Sequence, residues 1–346
     1  MLLHASDAQL QKNLFAATEP RVALKTRHAR GFAAYERPGE LTGSAVLGHP
    51  AAIASYARAI VQQARAEGLR YLELRGSPHK YRPEAPAQFL RELRHALQQA
   101  GAQVALLNED PASPVASPAT EPVVPRIGFI WILDRRQPDT HAGIVRQACA
   151  ALPSLRGFLL GLDLAGDEGT HAPERLADSF LPAFAECLPI TIHAGEGEQA
   201  ENIWKAAYHL HADRIGHGLT LASHPALAAR FRDRSICLEL CPTSNREVVG
   251  FADPDEPASA SLPRYPLRQF LQAGIPLTLC TDNPGISRTT LAHEYLAAAR
   301  MSEGGLTQWE ALALMRQGFV HAFLPSAERE ALLKRADHAA FHQLNG

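Results

Sequence analysis

Cysteine is sparse and scattered. The five residues, Cys149, Cys187, Cys237, Cys241 and Cys280, are odd in number and contain no C-x-x-C pair. That pattern argues against a disulfide framework and a cysteine zinc site, and it fits a reducing, cytoplasmic setting. Long apolar runs are also missing: none reaches the roughly 18 residues of a membrane span, and no signal-peptide pattern opens the chain. No membrane partner is therefore expected. Charge of one sign is lacking too, since 34 Lys and Arg face 36 Asp and Glu for a formal net charge of -2. Without a basic field, duplex nucleic acid is not an expected partner. Neither a P-loop nor a Rossmann glycine pattern occurs.

What is present is the composition of a globular protein with a substantial core: 346 residues, 46% hydrophobic and 20% charged. That length accommodates two ordinary domains or one large barrel. Residues 1–47 read as an irregular N-terminal segment, with a short helix near Leu10 to Phe15. From residue 48 to 346 the pattern sharpens. Ile53, Tyr56, Ala57, Ile60, Val61 and Ala64 follow helical spacing, and Gly68 stops that helix.

Strands and helices then alternate. Strands are expected at Tyr71 to Arg75, Ile127 to Leu133, Gly157 to Leu164, Pro189 to His193, Arg214 to Gly218, Ile236 to Cys241 and Pro276 to Cys280, with a helix after each. Such alternation predicts a parallel sheet covered by helices, an α/β fold of the TIM (β/α)8 type. Seven strands are countable where a closed barrel needs eight. The first strand is expected to be missing or degenerate, because residues before 48 offer only a poor candidate. Asn108 to Pro125 and Gly250 to Pro266, rich in Pro, Ala and Ser, are expected to be exposed insertions.

Polar clusters sit where strands end. Thr191-Ile192-His193-Ala194-Gly195-Glu196 sets an imidazole and a carboxylate three residues apart around a glycine turn, which suits a metal ligand beside an acid or base. A buried histidine bonded to backbone and a helix N-terminal carboxylate are the plainer alternatives. His217, between Gly216 and Gly218, has an uncrowded ring suited to proton transfer. Asp282 shares strand parity with Thr278 and Cys280, although Asp282-Asn283-Pro284 also suits a simple turn. Leu162 to Glu168 brings acids and a glycine to another strand end, and Cys241-Pro242-Thr243-Ser244-Asn245 follows the next strand, where a structural turn is equally compatible. The strand at 157–164 carries no lysine to bridge two metals, so a single metal is expected. Zinc base deaminases of the H-x-E and P-C-x-x-C type are excluded by the missing cysteine pair.

These motifs, in order, resemble those of the adenosine deaminase family: His-Ala-Gly-Glu at 193–196, Arg-Ile-Gly-His-Gly at 214–218, Leu-Glu-Leu-Cys-Pro-Thr-Ser-Asn at 238–245 and Thr-Asp-Asn-Pro at 281–284. Leu-Asp-Leu-Ala-Gly-Asp-Glu at 162–168, Arg-Gly-Ser-Pro-His at 75–79 and Phe323-Leu324-Pro325 resemble further family segments. The resemblance runs from about residue 45 to the end. It implies a mononuclear zinc barrel in which His193 and Asp282 ligate Zn2+ and Asp282 also touches the attacking water. His217 would orient that water and take its proton, Glu196 would protonate purine N1, and the Gly166 N–H would donate to N3. Where the family usually has a second Asp facing N7, this chain has Asn283, whose amide can donate without prior protonation.

The family's first strand supplies two further ligands from a His-x-His pair, and no such pair occurs near the start here; His4 alone is a poor substitute. The expectation is that the chain begins downstream of that strand or belongs to a larger protein, with a homo-oligomer left open. The leading expectation is zinc-dependent hydrolytic deamination of an adenosine-type purine, whether base, nucleoside or nucleotide. A catalytically silent barrel that binds nucleotides or serves as an assembly scaffold is the alternative, and a metal hydrolase of another C–N bond is a third.

Overall fold

A computed structural model describes residues 31–36, 46–104, 123–171 and 173–345. The helix α1 (Pro50–Ala66) starts on a proline already fixed near helical φ, with the His49 ring accepting from the Ala51 N–H at 3.2 Å. Its buried stripe is Ile53, Ala57, Val61 and Ala64, the helical spacing read from the sequence. Gly68, at φ +69, turns the chain into β1 (Tyr71–Gly76).

The order then runs α2 (Pro86–Gln99), β2 (Arg126–Asp134), α3 (Pro138–Leu155), β3 (Leu159–Ala165), α4 (Ala177–Ala185), β4 (Ile190–Ala194), α5 (Ala200–His209), β5 (Arg214–His217), α6 (Pro225–Asp233), β6 (Cys237–Leu240), α7 (Pro242–Val248), α8 (Leu267–Ala273), β7 (Leu277–Leu279), α9 (Leu291–Met301), α10 (Gln308–Val320) and α11 (Ser326–Asn345).

The seven strands form one parallel sheet in the order of the sequence, β1 through β7. This is a curled half-barrel: among the described residues β1 pairs only with β2 and β7 only with β6. The seven strands counted in the sequence are all present. The proposed first strand and the helix near residues 10–15 lie outside the described residues.

Alternation along each strand sorts the side chains. Ile127, Phe129, Trp131 and Leu133 of β2 and Leu238 and Leu240 of β6 join the main hydrophobic core. The inner face carries the charged residues Glu73, Arg75, Asp163, Arg214 and Glu239, together with Ile130, Ile132 and Leu160. The end of the barrel away from the strand carboxyl ends is covered by Phe323, which joins Ile130, Leu160, Leu324 and Leu332 in a small apolar cluster and lies 3.5 Å beneath the Arg214 guanidinium.

The stretch from Gly250 to Pro266 is the exposed insertion expected only in part: residues 254–255, 257–258, 260–261 and 263–264 are exposed, while its two ends and Ser259 are buried. Asp253 is 2% exposed, with Arg246 and Arg300 at 2.6 and 2.7 Å, and Phe251, Ser259 and Tyr265 are buried beside it. A buried carboxylate between two guanidiniums anchors the polar, proline-rich segment, a tertiary effect that composition does not register. The other expected insertion falls mostly on residues outside the described set. Cys241 to Asn245, open to reading as a turn, instead leads into α7, whose first position is Pro242.

Candidate active site

A cavity of about 2030 Å³ opens along the inner face of the sheet. His193, Glu196, His217, Asp282, Asn283 and Gly166, the six residues singled out from sequence, all line it. They lie at or just beyond the carboxyl ends of β3, β4, β5 and β7, where parallel α/β barrels carry their chemistry.

Backbone strain marks two of these positions. His217 and Asp282 adopt φ of +64° and +51°, left-handed conformations uncommon for residues with a Cβ. Gly195, at φ +72, makes the turn that carries the chain from His193 to Glu196. Glu168 fastens this turn, its carboxylate accepting from the Gly195 N–H at 2.6 Å, the Glu196 N–H at 3.2 Å and the Asn202 amide at 3.1 Å. Arg135 donates to the His193 carbonyl at 2.6 Å, holding the strand end from the other side.

Asn245 organises the acid and the imidazole. Its Oδ1 accepts from the Tyr265 hydroxyl at 2.8 Å and from the Cys241 N–H at 3.2 Å. With the carbonyl end so engaged, the amide nitrogen faces Glu196 Oε1 and His217 Nδ1, each at 2.9 Å. An amide nitrogen can only donate, so His217 Nδ1 is the accepting nitrogen and the neutral ring carries its proton on Nε2. Glu196 Oε1 lies 3.6 Å from His217 Nδ1, and the His193 and His217 ring centroids are 5.0 Å apart.

His193 is oriented from below. Its Nδ1 lies 2.9 Å from Asp163 Oδ1, and Arg75 reaches Asp163 Oδ2 at 3.1 Å. Burial disfavours a charged His193 ring, but the Asp163 carboxylate outweighs burial and raises its pKa. Asp163 itself is lowered, with burial opposing and His193 and Arg75 prevailing. Arg75 also pairs with Glu239, which meets Arg214 at 2.7 Å, and Arg214 meets Glu73 at 2.5 Å. Glu239 is pushed down to about 2: burial works against its charge, but the two guanidiniums win. The inner face is thus a ladder of alternating charge ending on His193.

Asp282 is held by Ser244 at 2.7 Å, by the Tyr35 hydroxyl at 3.2 Å and by the Asn283 amide at 3.0 Å. Gly166, at φ +96, lies so close to Asp134 that a Cβ there would come 2.7 Å from its Oδ1. Among the described residues, no group of three or more His, Cys, Asp or Glu side chains is placed to hold a metal ion. His193 and Asp282 offer two donors, short of the three or four protein ligands zinc normally takes.

Sequence reasoning did not assign roles to Asn245, Ser244, Tyr265, Tyr35, Arg75 or Glu239. A signal existed for the ladder: Glu73, Arg75, Arg214 and Glu239 are charged positions inside otherwise apolar strands, which in a covered sheet implies mutual pairing. Nothing local announces Tyr265 or Tyr35.

A curled parallel sheet under helices, with imidazole and carboxylate side chains along its carboxyl rim, defines an α/β half-barrel of the TIM type. The match to known proteins narrows this class, since the family model described as adenosine deaminase covers residues 6–339. The chain belongs to the adenosine deaminase family. An adenosine deaminase of Pectobacterium atrosepticum is 33% identical over 293 residues, covering 85% of this chain and 78% of that one. Two solved structures share the fold. The N6-methyl-AMP deaminase of Arabidopsis thaliana superposes with a TM-score of 0.69 at 21% identity, covering 90% of this chain and 84% of that one. An adenine deaminase of Arthrobacter aurescens gives 0.68 at 19%, covering 88% and 82%. No helix of the described residues is long and apolar enough to cross a membrane.

Proposed function

We propose that this chain is a zinc-dependent purine aminohydrolase, releasing ammonia from adenosine, adenine or an adenine nucleotide. The observation that carries the reading is Asn245 holding Glu196 and His217 together on the cavity wall, each at 2.9 Å, in a chain of the adenosine deaminase family. Hydrolytic deamination needs a proton placed on a ring nitrogen, a proton taken from attacking water and an amine released. Glu196 delivers the proton to N1, and His217 orients the water; it receives the water's proton in the tautomer that gives up the Asn245 bond, with the ring proton on Nδ1 facing Glu196 Oε1 at 3.6 Å and Nε2 free to accept. The Gly166 N–H and the Asn283 amide position the base at N3 and N7.

Zinc would supply an activated water. His193 and Asp282 are its proposed ligands, yet two donors do not complete a site. A bound ion would need donors beyond His193 and Asp282. That shortfall favours one second reading, a catalytically silent barrel that binds nucleotides or serves as a scaffold.

Metal analysis of the purified chain, with adenine absorbance followed on base, nucleoside and nucleotide, separates the two. Near-stoichiometric zinc with turnover of one substrate class supports the enzyme and names its substrate. No metal and no turnover, even with added zinc, overturns it in favour of the scaffold.

A further inference from the structure

Two of the scattered cysteines become neighbours in the sheet. Strands β6 and β7 are in parallel register with Glu239 opposite Thr278 and Leu240 opposite Leu279, and the Cys280 N–H donates to the Leu240 carbonyl at 2.8 Å. The next position therefore sets Cys241 opposite Cys280, on the inner face by the alternation that also places Glu239 and Thr278 there. Both line the cavity, and the Cys241 thiol lies 3.7 Å from the Glu239 carbonyl. Neighbouring strands lie about 4.8 Å apart, inside the roughly 4.4 to 6.8 Å between α-carbons that a disulfide spans. The other three cysteines have no such arrangement: Cys149 is on α3, Cys187 follows α4, and Cys237 precedes Cys241 by four residues on its own strand, about 13 Å along.

We propose that Cys241 and Cys280 are a redox-active dithiol at the cavity rim, closed to an intramolecular disulfide by a peroxide. Cys280 is the half-buried member and Cys241 the buried one at 6% exposure, which sets the order of events. Cys280 Sγ loses its proton and attacks one peroxide oxygen; the O–O bond breaks, leaving a sulfenic acid and the first water. Cys241 Sγ then attacks Cys280 Sγ; the S–O bond breaks, the S–S bond forms, and the departing hydroxyl takes the Cys241 proton as the second water. Two thiols lose two electrons and one peroxide gains them. The bond would tie the end of β6 to the end of β7 where Ser244 meets Asp282 at 2.7 Å, so oxidation state sets the stiffness of that rim. Transient, sensing disulfides of this kind are the ones compatible with a reducing compartment.

The proposal goes beyond the deaminase reading and is tested without it, by thiol chemistry on the whole chain. Hydrogen peroxide is expected to lower the free-thiol titre by two of the five. Peptide mapping should find the Cys241 and Cys280 peptides joined with the loss of two hydrogens, and dithiothreitol should separate them. Phenylarsine oxide, which needs two thiols within reach of one arsenic, should bind reduced chain one to one. Cys280→Ser should abolish both the cross-link and arsenical capture. Cys280 over-oxidised to sulfinic acid with Cys241 untouched, or cross-links only to Cys187, overturns the proposal. So does arsenical capture that persists in Cys280→Ser.

Discussion

Asn245→Asp tests the centre of the site with one nearly isosteric change. The Asn245 carbonyl end keeps its Tyr265 and Cys241 donors, but the amide nitrogen between Glu196 and His217 becomes a carboxylate oxygen 2.9 Å from Glu196 Oε1. Two carboxylates at that separation repel by about 6 kcal/mol at an effective permittivity near 20. Taking up one proton is the cheaper escape: holding a proton on a carboxyl of ordinary pKa near 4 costs about 4 kcal/mol at pH 7 and about 1.4 at pH 5. The variant pair therefore has a raised folded pKa, so its deficit is small in acid and grows with pH at about 1.4 kcal/mol per unit until repulsion is the lesser cost. Urea unfolding of both proteins at several values between pH 5 and 8 reads this slope directly. A deficit that stays flat with pH, or lies below about 1 kcal/mol at pH 7, refutes the placement of the Asn245 amide between these two groups.

Three further outcomes follow from the same geometry. Glu239→Gln strips the buried carboxylate shared by Arg75 and Arg214, and urea unfolding should show a loss of about 3 to 5 kcal/mol; an unchanged midpoint would mean the ladder is not one unit. Gly195→Ala forces a Cβ into a turn at φ +72 and 2.7 Å from Thr220 Oγ1, costing about 1 to 3 kcal/mol by thermal melting, and a neutral result would place the turn elsewhere. His79 is pushed down to about 4, chiefly by burial with Lys80 adding to it, while the unfolded ring titrates near 6.5. Its neutral form contributes stability that is present above pH 6.5 and lost as pH falls towards 4, about 3 kcal/mol in all. Protonated His79 cannot accept the Trp131 indole N–H, now 3.0 Å from Nδ1, so Trp131 fluorescence should change in the same window and His79→Asn should remove that slope.

Local pattern determined much of this protein. The apolar alternation of seven short segments and the helical spacing between them are set by residues within a few positions of one another, so the parallel sheet and its order were legible. So was the rim, because a polar residue ending an apolar strand has few places to go: His193, His217 and Asp282 declare themselves through their neighbours, as does Glu196 through Gly195. Position on one cavity wall followed from topology alone.

What the sequence left open depends on contacts across many residues. Asn245 looked as much like a turn residue as a functional one, and Tyr265, twenty residues on in a segment that reads as an exposed insertion, joins the nearby Cys241 N–H in fixing which way its amide points. The pairing of Arg75 with Asp163 and Glu239 joins three strands, and the meeting of Cys241 with Cys280 depends on the register of two. Hydrogen-bond direction and charge pairing act over about 3 Å, and the chain brings distant residues within that range only when the sheet curls. Sequence therefore chose the chemical groups and the rim on which they stand, while tertiary structure decided which partners orient them and left β1 and β7 unpaired with each other among the described residues.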